Sequence, residues 1–243
     1  MRTRAVTAVL VGMAMVMILA PAAMADQITI TRINGYYTGS GGEFNITPLG
    51  GALPGTLALY NPLAIVGGGF ESFCLEVNEH IGIPETVNFA VSQSAIQGGV
   101  GPSGDPISIG TAYLYSRFAA GSLSGYNYTP GAGRESRAGD LQNAIWMLEG
   151  EVAWNASNFY INYLLTIGGF TQATAQANSN GAGNVWVLND TDSTGGLRQD
   201  MLVLIPGTNP PLEVPEPTSM MLLGSGLLGL LAAGHLRRKF RKS

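Results

Sequence analysis

Two different spacings of apolar residues divide the sequence. Short runs rich in β-branched and aromatic residues predict strands at residues 27–33, 56–60, 70–80, 86–93, 184–188 and 201–205. Between the fourth and fifth strands the apolar residues recur at helical spacing and predict helices at 107–119, 136–152, 157–165 and 171–177. We therefore expect an α+β fold over residues 26–205, a partly antiparallel β-sheet or sandwich with a helical insertion.

The second predicted helix has the clearest buried face. Its apolar positions 141, 144, 145, 148 and 152 follow one stripe along the helix. Gln142 lies at the edge of this stripe, next to Trp146 and Glu149. A side chain at that boundary can reach a neighbouring element without being fully solvated, although a Gln there is usually a helix former with its amide in water.

The first 25 residues have the three parts of a secretory signal peptide. Arg2 and Arg4 precede an apolar run at residues 5–19, and small residues follow up to Ala25, so cleavage is expected between Ala25 and Asp26. A membrane anchor is the alternative, but the run is shorter than the roughly 20 residues that a spanning helix needs. The sequence therefore predicts export.

The C-terminal end predicts a sorting signal. A Pro-rich stalk at residues 206–217 ends in Pro215-Glu216-Pro217, and the segment 218–243 contains an uncharged apolar run followed by a basic tail. A permanent membrane anchor would have the same run and tail. The order of the three parts resembles the bacterial PEP-CTERM sorting signal, which implies an exosortase-type membrane protease as partner, anchoring in the inner membrane before processing, and then release to the cell surface or extracellular matrix.

Between the two terminal segments the chain is strongly acidic. Residues 26–217 hold all sixteen Asp and Glu residues but only five Arg and no Lys, which gives a formal charge of −11. Such a charge argues against nucleic acid or an anionic membrane surface as a partner. The absence of lysine also leaves no side-chain amine that could consume an electrophile in the same segment, although acidic exported proteins often contain few lysines.

Cys74 is the only cysteine, so it cannot form an intramolecular disulfide. A buried core thiol, an intermolecular bridge, a nucleophile and another covalent bond remain as alternatives. In a strand, Phe73 and Leu75 would share one face and Cys74 would lie on the other, less apolar face. This alternation favours a position toward a helix or a site.

The segments FCL at 73–75 and LQNAIW at 141–146 resemble the thioester domains of bacterial surface proteins. In that family a strand Cys and the Gln of a Thr-Gln-x-Ala motif are joined side chain to side chain with loss of ammonia. The resemblance implies a bond between Cys74 and Gln142 and extends to no other residue. Leu141 departs from the pattern, because the family has Thr at that position.

Other sites have weaker support in the sequence. Asp190, Asp192 and Thr194 have the first offsets of a calcium loop, but position twelve is Met201, so a polar hairpin connection is favoured. Glu76, Glu79 and His80 would lie on different faces of a strand, which argues against a zinc site. We expect no metal and no cofactor.

Two functions remain open from the sequence. The first is covalent adhesion through the Cys74–Gln142 thioester, and the second is a noncovalent structural role in an extracellular polysaccharide or biofilm matrix with an inert Cys74. No nucleophile elbow, phosphate loop or dinucleotide fingerprint occurs in the sequence, so no enzymatic activity is expected.

Overall fold

A computed structural model describes residues 26–39, 41–49, 69–96, 104–205 and 207. The strands are β1 (Gln27–Thr31), β2 (Tyr37–Thr38), β3 (Gly41–Gly42), β4 (Phe44–Leu49), β5 (Phe70–Ser72), β6 (Glu85–Ser92), β7 (Ser94–Ala95), β8 (Asp105–Pro106), β9 (Val185–Thr191) and β10 (Met201–Leu204). The helices are α1 (Ile109–Ala119), α2 (Ala132–Leu148), α3 (Phe159–Thr166) and α4 (Gln172–Ala175), and a 3₁₀ turn covers Ala182–Asn184.

Six of the strands form one antiparallel sheet in the order β10-β9-β6-β1-β4-β5. Its two edges are also joined. Beyond β5, the N–H of Leu75 donates to the carbonyl of Asp200 at 3.1 Å, and the N–H of Leu202 donates to the carbonyl of Phe73 at 3.1 Å. Cys74 lies between these two bonds and forms a bridge with Met201. The strands therefore close into a ring, and Cys74 lies on the seam where the ring closes.

Two apolar clusters lie on opposite faces of these strands. Strand residues that face the helices pack with α1, α2 and α3 in one cluster, to which Phe73 and Leu75 belong. The residues of the other face, Cys74 among them, form the second cluster with Trp146 of α2 packed against it. The alternation predicted around Cys74 is therefore present, and the cysteine faces away from the main helical core.

The predicted mixture of helices with an antiparallel sheet is confirmed, and the bounds of several elements differ. The predicted strand 70–80 ends at Ser72, apart from the bridge at Cys74, because the chain turns into an irregular segment before β6. The predicted helix 136–152 begins earlier, at Ala132, and ends at Leu148. The strand predicted at 56–60 lies outside the described residues.

Helix α2 is anchored to the strands at two points. Arg134, near its N-terminus, forms a buried bidentate ion pair with Glu43, which precedes β4: Nε lies 2.7 Å from Oε1 and Nη2 lies 2.6 Å from Oε2. One helical turn before Gln142, Gly139 packs against Thr38 of β2. These contacts fix both the position and the rotation of α2 relative to the strands.

Helices α1 and α2 are linked at their ends by a second buried carboxylate. Ser108 caps α1 by accepting a hydrogen bond from the N–H of Thr111, and Glu149 at the end of α2 accepts from the Ser108 hydroxyl at 2.8 Å. In the part of the chain that the structure describes, no helix combines the length and the apolar character needed to cross a bilayer. The predicted signal peptide and C-terminal span lie outside that part.

A candidate thioester site between Cys74 and Gln142

The Cys74 backbone is held rigidly by the seam of the strand ring. The hydroxyl of Ser72 donates to the carbonyl of Leu202 at 2.6 Å, and the Tyr115 hydroxyl of α1 donates to the same carbonyl at 3.0 Å. Together with the bridge to Met201, these bonds fix the strand on both sides of the cysteine. The thiol therefore has a defined position, on the face of the strands opposite the main helical core.

Gln142 reaches this position because β3 has no side chain to block it. A Cβ on Gly41 would lie 2.7 Å from Cγ of Gln142 and 3.2 Å from the Trp146 ring. The glycine lets the helix approach the strand closely, and the Gln142 side chain passes over it toward Cys74. Gln142 is 1% exposed, so it is more deeply buried than the boundary position predicted from the helical stripe.

Three contacts join Cys74 to Gln142. The Cys74 thiol donates to Oε1 of Gln142 at 3.1 Å, the backbone N–H of Cys74 donates to the same oxygen at 3.2 Å, and Nε2 of Gln142 donates to the carbonyl of Cys74 at 2.7 Å. The carboxamide is thus held by both of its ends, and its oxygen is in contact with the sulfur.

The electrostatic surroundings keep the cysteine in its thiol form. Burial raises the pKa of the Cys74 thiol to about 12, and the positive charge of Arg32 opposes this only in part. At neutral pH the thiolate fraction is then on the order of 10⁻⁵. A buried thiol of this kind is a poor catalyst of repeated turnover, because the thiolate is the reactive nucleophile.

A pocket of about 580 Å³ leads to the sulfur. Cys74 and Trp146 form part of its wall, together with Phe44 and the guanidinium of Arg32, which stacks on the Phe44 ring at 4.2 Å. His80 also lines the pocket and is exposed. The pocket therefore reaches Cys74, whereas Gln142 lies behind its wall.

The weak calcium candidates do not converge on one point. Asp190 is fully buried in β9, whereas Asp192 lies in the following turn. One oxygen of Asp192 accepts from the backbone N–H and the hydroxyl of Thr194 and from the N–H of Gly196, and its other oxygen pairs with Arg198 at 2.9 Å. Asp192 and Thr194 thus form the hairpin connection that the sequence favours.

The structure also contains a carboxylate cluster next to the pocket, which the sequence did not predict. Glu76, Glu79 and Asp200 each present an oxygen within 4.8 Å of the others. Strand alternation placed Glu76 and Glu79 on opposite faces, but the strand has already ended there, and the two side chains converge. Asp200 is 121 positions further along the chain than Glu79, so no local motif links them.

Comparison with known proteins covers the C-terminal segment. Residues 213–239 match the family model described as the PEP-CTERM protein-sorting motif. The chain carries a PEP-CTERM signal. This signal implies export, processing by exosortase, which is a membrane protease, and a C-terminus that is anchored in the membrane before processing. No curated protein and no solved structure matches the chain.

The PEP-CTERM match confirms the predicted sorting signal with its Pro215, Glu216 and Pro217, which lie within the matched range. These three residues lie outside the described residues, as does Ala25 of the predicted signal cleavage site. Asp26, which directly follows that site, is described and is exposed. The family model does not extend to Cys74 or Gln142. Their function must therefore be argued from the geometry alone.

Proposed function

We propose that this exported PEP-CTERM protein forms an internal thioester between Cys74 and Gln142 and uses it to attach covalently to a surface or matrix component. The observation that carries this proposal is the contact between the Cys74 sulfur and Oε1 of Gln142, 3.1 Å apart in a site where both side chains are buried. The two come from elements 68 positions apart that are each fixed by independent contacts.

Formation of the bond balances with ammonia as the second product. The sulfur attacks Cδ of Gln142, the bond from Cδ to Nε2 breaks, and the thiol proton leaves with that nitrogen. Negative charge on Oε1 in the intermediate is stabilised by the backbone N–H of Cys74, which already points at this oxygen. The Cys74 carbonyl holds the departing nitrogen. Proximity compensates for the small thiolate fraction, since oriented groups react with effective molarities of about 10⁵ M or more.

The stored thioester is an acylating agent. An amine or hydroxyl that enters the pocket attacks Cδ of Gln142, the bond from Cδ to sulfur breaks, and the Cys74 thiol is restored. The partner then remains attached to Gln142 through an amide or ester. A surface polysaccharide supplies hydroxyls, and a matrix protein supplies amines. The absence of lysine from residues 26–217 protects the bond from side-chain amines of the same segment.

Intact mass spectrometry of the full chain, purified in detergent after export, tests the proposal. A thioester makes the protein one ammonia lighter than its sequence, and methylamine adds its own mass while exposing one titratable thiol. The Cys74→Ala variant has the full mass of its sequence. The control Gln176→Ala removes a different glutamine amide, which lies at the end of α4 and bonds to the carbonyl of Met147, and keeps the deficit.

Full mass together with a freely titratable Cys74 in the native chain would reject covalent attachment. The noncovalent matrix role would then take its place. A mass deficit without any reaction toward methylamine would also reject the attachment step, because it would show a bond that the pocket does not expose.

A further inference from the structure

The cluster of Glu76, Glu79 and Asp200 joins two separate segments. Glu76 and Glu79 follow the seam strand, and Asp200 directly precedes β10. One oxygen from each side chain lies within 4.8 Å of the others. An all-carboxylate set of hard oxygen ligands suits calcium or magnesium better than zinc, whose sites usually include His or Cys.

Glu76 supplies a second and independent observation. It is 2% exposed, and within the described part of the chain neither of its carboxylate oxygens has a hydrogen-bond partner. Burial, followed by the neighbouring carboxyls of Glu79 and Asp200, raises the pKa of this carboxyl to about 10. A buried carboxylate without donors needs either a proton or a cation.

Acidic side chains dominate the surroundings of the cluster. The ion pairs among the described residues involve Arg134, Arg137 and Arg198, and their partners lie outside the cluster. Asp190 adds another buried carboxyl nearby, whose pKa is raised by burial and then by the charges of Asp200 and Glu79. The region therefore concentrates negative charge, and Arg32 and His80 lie on the wall of the adjoining pocket.

Asp200 is already oriented as a ligand. Its carboxylate accepts from the backbone N–H groups of Ile96 at 2.7 Å and Asp190 at 3.0 Å, and from the Asn189 amide at 2.9 Å. These donors favour the ionised form and hold the side chain in place. Gln199 beside it is 3% exposed and lines the pocket, and rotation of its carboxamide would present a neutral oxygen.

The irregular set of carboxylate ligands favours calcium over magnesium, because magnesium demands near-ideal octahedral geometry and gives up its water ligands reluctantly. Two ligands on one ion cannot be further apart than twice the metal–oxygen distance, which is about 4.6–5.2 Å for calcium and about 4.0–4.2 Å for magnesium. The three oxygens lie within 4.8 Å of one another, which is compatible with a shared calcium ion. Glu79 is only partly buried, so it leaves a path from solvent to the ion.

We propose that Glu76, Glu79 and Asp200 bind a calcium ion. The ion would cross-link the two segments that meet at the seam, two residues from Cys74 on one side and one residue from its bridge partner Met201 on the other. It therefore stabilises the ring where the cysteine is held. This site does not depend on the thioester, because a chain of full mass retains all three carboxylates.

Calorimetry and thermal unfolding of the full chain in detergent test the site, after removal of divalent ions with a chelator. One equivalent of calcium is expected to bind. At a calcium concentration of about one hundred times Kd, the midpoint of unfolding rises by about 5–10 °C. Magnesium at the same concentration gives a smaller rise.

Glu76→Gln is the decisive variant because we expect it to leave the protein folded. It removes repulsion within the cluster, so the calcium-free protein keeps or raises its unfolding midpoint while the response to calcium is lost. Glu149→Gln makes the same change at a buried carboxyl outside the cluster and retains the response. The inference is overturned if calcium neither binds nor shifts the midpoint, if magnesium acts equally, or if Glu76→Gln still responds.

Discussion

Gly41→Ala tests whether the approach of α2 to β3 creates the candidate thioester site. The added Cβ would lie 2.7 Å from Cγ of Gln142, whereas ordinary contacts begin at 3.4 Å, so the glutamine side chain must move by at least about 0.7 Å. Displacement on this scale at a reacting centre costs about 10²-fold in rate. We therefore expect thioester formation in Gly41→Ala to slow by about two orders of magnitude.

The assay follows the ammonia deficit by intact mass over time in newly synthesised full chain, because hydrolysis of an existing thioester would convert Gln142 to an acid from which the bond could not form again. Thermal unfolding measured in parallel reports the overpacking, expected at about 1–3 kcal/mol. Gly133→Ala is the matched control within α2, because its methyl group meets the end of the flexible Asn127 side chain. A folded Gly41→Ala variant that acquires the deficit at the native rate would refute the argument.

Two further predictions concern the contacts that hold the helices. Burial raises the pKa of Glu149 from 4.5 to about 7, so the folded state binds a proton more tightly than the unfolded state. The free energy of unfolding is therefore highest below the unfolded-state pKa of 4.5 and falls as the pH rises through 7. Between pH 5 and pH 8 the free energy of unfolding falls by about 2.5 kcal/mol through this group. Urea unfolding of Glu149→Gln should lack that share of the pH dependence, and an unchanged dependence would contradict the prediction. Arg134→Met leaves Glu43 buried without its ion-pair partner and should lower the free energy of unfolding by about 3–5 kcal/mol. Arg137→Met removes a partly exposed ion pair with Asp140 and should lower it by less than about 1 kcal/mol. Equal losses in thermal unfolding would contradict this explanation.

Local sequence patterns predicted those parts of the fold that depend on local physics. Helical spacing located α1, α2, α3 and α4 to within a few residues, and the first three bury an apolar stripe each, whereas α4 buries only Ala175. Strands β2, β3, β4, β7 and β8 were not predicted, and all of them except the six-residue β4 have only two residues. Such strands exist through their tertiary contacts and have no periodicity of their own.

The candidate sites show the same division. Cys74 and Gln142 were selected from their sequence contexts, and the structure brings them within 3.1 Å. Gly41, which makes the contact possible, has no distinguishing local signal among the 34 glycines of the chain. The carboxylate cluster was missed because strand alternation was extended past Ser72, where the strand ends.

The sequence by itself determined the destination of this protein and the character of its exported part. A PEP-CTERM signal is a contiguous segment, and an acidic composition without lysine is a simple sum, so neither depends on folding. Only the tertiary structure decided what surrounds Cys74. Closure of the strand ring brings Asp200 beside Glu76 and Glu79, and the close approach of α2 over Gly41 brings Gln142 to the sulfur. These contacts join residues far apart in the chain, and only the packing of whole elements can specify them.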